Sequence, residues 1–253
     1  MVLSPASLTI CLVAPGGYRI PFFITGVLMF TVFLGTTFLV HEDFTPISRE
    51  KMKPMGEIMK SLPSVKLIVV MFITTMLVQS STMSIDPIVS LYVKSMMPHG
   101  GDVAFVAGVV AATPGLGTLI AASRIGHKMD EVGPLRVLRI GLVVGAALFV
   151  PMALTNSPWV LAGLRFLLGI ASAGMLPAAQ TVLTLNTPSE SFGRIFSYNQ
   201  SFQAVGAMLG SLMGSTISGF SNYATVFWVT GFTLLINFVL VLIFAWGISY
   251  RNR

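Results

Sequence analysis

RIGHKMDEVGPLRVLRIG, running from Arg124 to Gly141, gathers Arg124, Lys128, Asp130, Glu131, Arg136 and Arg139 into one short stretch of a 253-residue chain that is only 9% charged and 54% hydrophobic. Long apolar runs lie on either side of it. A charged island bounded by such runs is the pattern of a loop between two membrane spans. Soluble domains keep about a quarter of their residues charged, so the composition as a whole is that of an integral membrane protein.

A helix needs about 20 apolar residues to cross a bilayer core about 30 Å thick. Runs of this kind recur at Tyr18–Val40, Val65–Val93, Val103–Ser123, Val137–Thr155, Trp159–Asn186, Ile195–Ile217 and Ala224–Ile248, which predicts about seven transmembrane helices and an all-α fold. The opening MVLSPASLTICLVAPG has no positive leader region, and Pro5 and Pro15 interrupt a run too short to span, so residues 1–17 read as a poorly defined or partial helix. Cys11 is the single cysteine, which excludes an intramolecular disulfide framework and a cysteine-rich metal site.

The formal charge of +6 does not imply a nucleic-acid partner, because in membrane proteins Lys and Arg mark cytoplasmic loops. Arg49, Lys51, Lys53, Lys60 and Lys66 sit in or beside the longest linker, and Arg124, Lys128, Arg136 and Arg139 in or beside the island. Arg194, Arg251 and Arg253 fall on the same side of the predicted spans, against Arg19 and Lys94 on the other. The bias predicts that linker, island and C-terminus are cytoplasmic.

The spans differ in character. The first, fourth and last are apolar nearly all round, as lipid-facing helices are, with Asn237 the main exception. The second carries Gln79, Ser80, Ser81, Thr82, Ser84 and Asp86; the fifth carries Arg165 and Gln180; the sixth carries Tyr198, Asn199, Gln200, Ser201 and Gln203. Polar groups are costly in hydrocarbon unless they face a bundle interior or a watery cavity. Every third helix is therefore expected at the periphery, with the others around something polar.

Gly126, Asp130, Gly133 and Arg136 resemble the GxxxDxxG loop signature of the major facilitator superfamily, in a degenerate copy where Pro134 and Leu135 precede the first arginine. LRFLLGIASAGMLPAAQTVL from Leu164 and GRIFSYNQSFQAVGAMLG from Gly193 are similar to the tenth and eleventh helices of that family's drug:proton antiporters. The resemblance runs from about Tyr18 to the C-terminus. It implies that residues 18–40 are a peripheral helix equivalent to the sixth, that 41–64 are the cytoplasmic central linker, and that 65–253 are a six-helix C-terminal half. It also implies a multi-pass protein of a bacterial inner membrane, small hydrophobic or amphipathic drug-like substrates, and a proton as coupling ion. The chain is accordingly expected to be a truncated carrier, with the missing N-terminal half or a second copy as partner.

Candidate site residues follow. As a conformational switch, Asp130 accepts hydrogen bonds from helix-end amides or pairs with a basic residue across the bundle, while Gly126 and Gly133 permit a tight loop and close helix approach; as a plain anchor, the island only fixes topology. Two readings of Arg165 stand side by side: a side chain that snorkels to headgroups, or a buried cation that binds an anionic substrate group or an acid of the other half. Asp86, followed by Pro87 near the outer end of its span, is expected to be solvated. Gly206, Gly210 and Gly214 repeat every four residues and are expected to pack a helix closely. Tyr198, Asn199 and Gln203, with Gln79, Ser80 and Met83, are expected to line a substrate cavity.

Enzymatic readings lack a motif. His41, His99 and His127 have no ligand spacing, and no nucleophile elbow, phosphate loop or paired carboxylates are present, so no metal, cofactor or catalytic residue is predicted. Two functions of different class remain: a secondary transporter for multidrug efflux, and a non-transporting fragment or membrane scaffold.

Overall fold

The computed structural model describes residues 19–39, 64–97 and 102–245. Cys11, His41 and His99, the partial helix expected over residues 1–17, the linker expected over 41–64 apart from Ser64, and the C-terminal arginines lie outside the described residues. Among those described, the secondary structure is helical. In chain order the helices are α1 (Arg19–Leu39), α2 (Val65–Met83), α3 (Val89–Met96), α4 (Val103–Val132), α5 (Pro134–Leu154), α6 (Pro158–Ser172), α7 (Met175–Leu185), α8 (Phe192–Phe220) and α9 (Tyr223–Ala245).

Five segments are long and apolar enough to cross a membrane: α2, α4, α5, the α6–α7 pair and α9. Helix α1 contributes a shorter apolar stretch, Phe22–Phe38. Helix α8 has the length, at 29 residues, but its polar segment keeps it out of that set. Its packing nevertheless shows its direction. Gly206, Gly210 and Gly214 of α8 lie against the carbonyls of Met76, Ser80 and Ser84 respectively. Both series rise together, so α8 runs parallel to α2, as two helices with three crossings between them in one bundle (α4, α5 and the α6–α7 pair) must.

Prolines explain where helices stop and where they do not. The second expected span is not continuous to Val93; it breaks at residues 84–88 between α2 and α3. Pro87 has no N–H to give the Met83 carbonyl and its ring crowds that oxygen. The Ser211 hydroxyl of α8 reaches the freed carbonyl at 3.5 Å. The fifth expected span is likewise divided, at Ala173 and Gly174, where Pro177 cannot donate to the Ala173 carbonyl. Pro114, by contrast, sits inside an unbroken α4, where the neighbouring Thr113 hydroxyl donates to the Val110 carbonyl at 2.9 Å in place of the missing N–H.

The core lies where α2, α5 and α9 meet, with Met71, Leu138, Leu142 and Phe227 almost fully buried. Tyr92 of α3 stacks at a tilt on Phe227, ring centroids 5.2 Å apart, and its hydroxyl donates to the Thr155 carbonyl at 3.1 Å. In its most apolar window α5 is 39% buried and α4 only 28%. A helix apolar all round can pack on several neighbours at once, and α5 does so with α6, α7 and α9.

Candidate functional site

Helix α6 carries its buried residues Leu161, Ala162, Arg165 and Gly169 on one face. Gly169 is pressed on the Pro114 carbonyl of α4, and Gly117 of α4 on the Phe166 carbonyl, so that a Cβ at either glycine would collide with backbone. The Thr118 hydroxyl donates to the Gly169 carbonyl across the contact at 3.0 Å. Arg165 lies one helical turn before Gly169, so the approach that seats the glycine also buries the arginine. It is 5% exposed, its head group held inside the bundle.

Its charge meets one carboxylate. Arg165 Nη2 donates to Asp86 Oδ1 at 3.3 Å, the Asp86 side chain being 51% exposed in the break between α2 and α3. Asp86 is thus half-solvated, as expected, but also paired. The acid that Arg165 meets belongs to this chain rather than to another half. The pair is unequal: removing a guanidinium from water costs several kcal/mol, and one long contact to a half-wet partner offsets only part of that. Arg165 Nε and Nη1 have no hydrogen-bond partner among the described residues.

Arg165 also lines a cavity of about 60 Å³. Val78, Ile85, Phe149, Leu168, Met175 and Leu234 form its apolar wall, and Ser81, Thr82 and Ser172 bring hydroxyls. Each of those hydroxyls donates to a carbonyl of its own helix, Leu77, Val78 and Gly169 respectively, and so offers a ligand lone pairs only. Arg165 is the cavity's donor.

The other expected cavity residues lie elsewhere. Asn199 and Gln203 are buried in the α2–α8 seam, on the same face as the three glycines, and the Thr75 hydroxyl donates to Asn199 Oδ1 at 2.7 Å. The correction has a simple cause: positions 199, 203, 206, 210 and 214 form one helical stripe, so close approach at the glycines carries both amides into the interface. Ser80 is buried in this seam beneath Gly210. Gln79 and Met83 are half-buried, and Tyr198 is 42% exposed. The seam continues to α9, where Ser84 Oγ and Thr230 Oγ1 are 2.8 Å apart and Asn237 Nδ2 donates to the Thr74 carbonyl at 3.2 Å.

The island is mostly helix, not loop. Helix α4 runs to Val132, so Gly126, Lys128 and Asp130 sit on its final turns, and Gly133 alone separates it from α5. Gly133 has φ 88° and ψ 147°, a backbone region open almost only to glycine, and Pro134 begins α5 with a φ already suited to it. Close helix approach at Gly126 is not found: nothing lies within 4 Å of where its Cβ would be, although Ile125 and Met129 on another face of the same turns pack against Gly174 and Thr181. Asp130 and Arg136 are exposed. Lys128 pairs with Glu131 at 2.8 Å on the exposed face, which raises the Lys128 ammonium above its usual range through that hydrogen bond and the adjacent charge.

The sequence profile of the Major Facilitator Superfamily matches residues 71–249. Over 237 residues the chain is 40% identical to the multidrug resistance protein MdtG of Salmonella dublin, and equally to those of Salmonella arizonae and Salmonella heidelberg. The alignments cover 94% of this chain and 58% of each relative, so the chain spans little more than half the length of the curated relatives it matches.

Proposed function

The chain belongs to the major facilitator superfamily, and on that premise we propose that it is the C-terminal part of a multidrug efflux carrier that exchanges small hydrophobic or amphipathic drugs for protons across a bacterial inner membrane. The observation that carries this reading is the match of nearly the whole chain to proteins named for multidrug resistance. Proton coupling rests on the resemblance to drug:proton antiporters. The site geometry supports a transport role, since interrupted helices beside a buried charge are a recurrent way of building a substrate path through a membrane bundle. Linker, island and C-terminus face the cytoplasm in this reading, following the basic residues.

In such a carrier the cavity lies between two six-helix halves. Tyr198, exposed here, with Gln79 and Met83 half-exposed, would form part of its wall. Asp130, exposed at the cytoplasmic end of α4, would serve as the latch toward the remainder of the carrier, with Gly126, Gly133 and Arg136 shaping that end.

The reading is tested in a drug-sensitive bacterium lacking its own pumps. These 253 residues joined to a matching N-terminal half should raise resistance and export drug until the proton gradient is collapsed, and the 253 residues alone should do neither. A joined protein that inserts in the membrane but confers no resistance to any of a broad drug panel would overturn the reading.

A further inference from the structure

We propose that Arg165 is the recognition point for a carboxylate group, an inference that rests on the efflux reading and narrows its cargo to amphipathic acids. A guanidinium presents five donors in a planar fork that fits two carboxylate oxygens at once. Arg165 spends one of these on Asp86, at 3.3 Å, and leaves Nε and Nη1 without a partner among the described residues while more than nine-tenths buried. Nε and Nη1 lie on opposite edges of the guanidinium and each forks only with Nη2, so a carboxylate that takes Nη2 from Asp86 also satisfies one of the two orphan nitrogens.

The surroundings select the same chemistry. The cavity hydroxyls already donate to carbonyls, so no second donor competes for the ligand, and a cationic head would face the guanidinium directly. A volume of about 60 Å³ admits roughly four water-sized groups, the heavy-atom count of an acetate head. Phe149, Leu168 and Leu234 then meet the first carbons of an apolar body. Asp86 is the occupant to be displaced, and because half of it is already in solvent, it can leave at small cost.

The test uses the 253-residue chain in lipid nanodiscs with sodium acetate as the probe and sodium chloride at equal ionic strength as the control, read as the shift of the thermal unfolding midpoint with concentration. Acetate should stabilise beyond chloride. Asp86→Asn, which removes the competitor, should shift the half-saturating acetate concentration down about tenfold, whatever it does to the starting midpoint, since one charge-assisted hydrogen bond is worth about that factor. Arg165→Lys keeps the charge but loses the fork and should abolish the excess over chloride. Equal effects of acetate and chloride, unchanged or weaker acetate binding in Asp86→Asn, or an intact acetate effect in Arg165→Lys would each overturn the proposal. Binding is read without transport, so drug export without acetate binding sinks this inference alone, and acetate binding without export sinks only the efflux reading.

Discussion

Arg165 and Asp86, 79 residues apart in the chain, meet at 3.3 Å with the cation buried and the anion half in water. The asymmetry decides which partner is the more dangerous to remove. Asp86→Asn strands a buried charge, and we expect it to lower stability by about 1–3 kcal/mol, below the cost of breaking a fully buried pair because water reaches the site. Adding Arg165→Gln to it should recover part of the loss. Thermal unfolding in detergent of the two singles and the double gives the coupling; a double mutant no better than Asp86→Asn alone would refute the account.

In the α2–α8 seam, a Cβ at Gly210 meets the Ser80 backbone, whereas one at Gly219 meets nothing within 4 Å. Gly210→Ala should therefore destabilise by about 1–3 kcal/mol, the usual cost of overpacking. Gly219→Ala should be neutral or slightly stabilising. Equal unfolding midpoints for the two variants would show that the helices part freely there.

Gly126 and Gly133 should respond in opposite directions. Gly133→Ala forces a side chain into a glycine backbone region, at about 1–3 kcal/mol. Gly126→Ala, on an open helical surface, should stabilise by up to about 1 kcal/mol. The comparison is made from melting midpoints of the purified variants.

Asn199→Ala removes the acceptor for the Thr75 hydroxyl. Hydrogen bonds between transmembrane helices average about 0.6 kcal/mol in double-mutant cycles, and a coupling of that size with Thr75→Val is expected. A coupling indistinguishable from zero would mean that Thr75 is fully satisfied by its second acceptor, the Phe72 carbonyl at 3.0 Å.

For topology, single cysteines at Lys128 and Asn156, in a background lacking Cys11, mark opposite ends of α5. In intact cells an impermeant thiol reagent should label position 156 and spare 128. The reverse pattern would invert the orientation.

The spans were legible because a bilayer demands long apolar runs, and the seam because a four-residue glycine repeat has one geometric use in such a helix. Whether a proline would break its helix was not legible. Pro87 and Pro177 do, while Pro114 inside α4 and Pro151 inside α5 do not. The fate of Arg165 depended on a partner distant in sequence, although Gly169 one turn away already hinted that its face was buried. Asn199 and Gln203 misled because amides serve cavities and interfaces alike, and only their phase relative to Gly206 separates the two.

The break at residues 84–88 joins two unlike partnerships. Helix α2 is fastened to α8 through three glycine contacts, whereas α3 packs on α4. Any tilt of one assembly against the other has to be taken up by the torsions of Ser84, Ile85, Asp86, Pro87 and Ile88, the sole covalent strap between them at that level. Asp86 sits in the middle of this strap with its carboxylate tied to Arg165 of α6, so a turn of the strap that carries that carboxylate away breaks the pair.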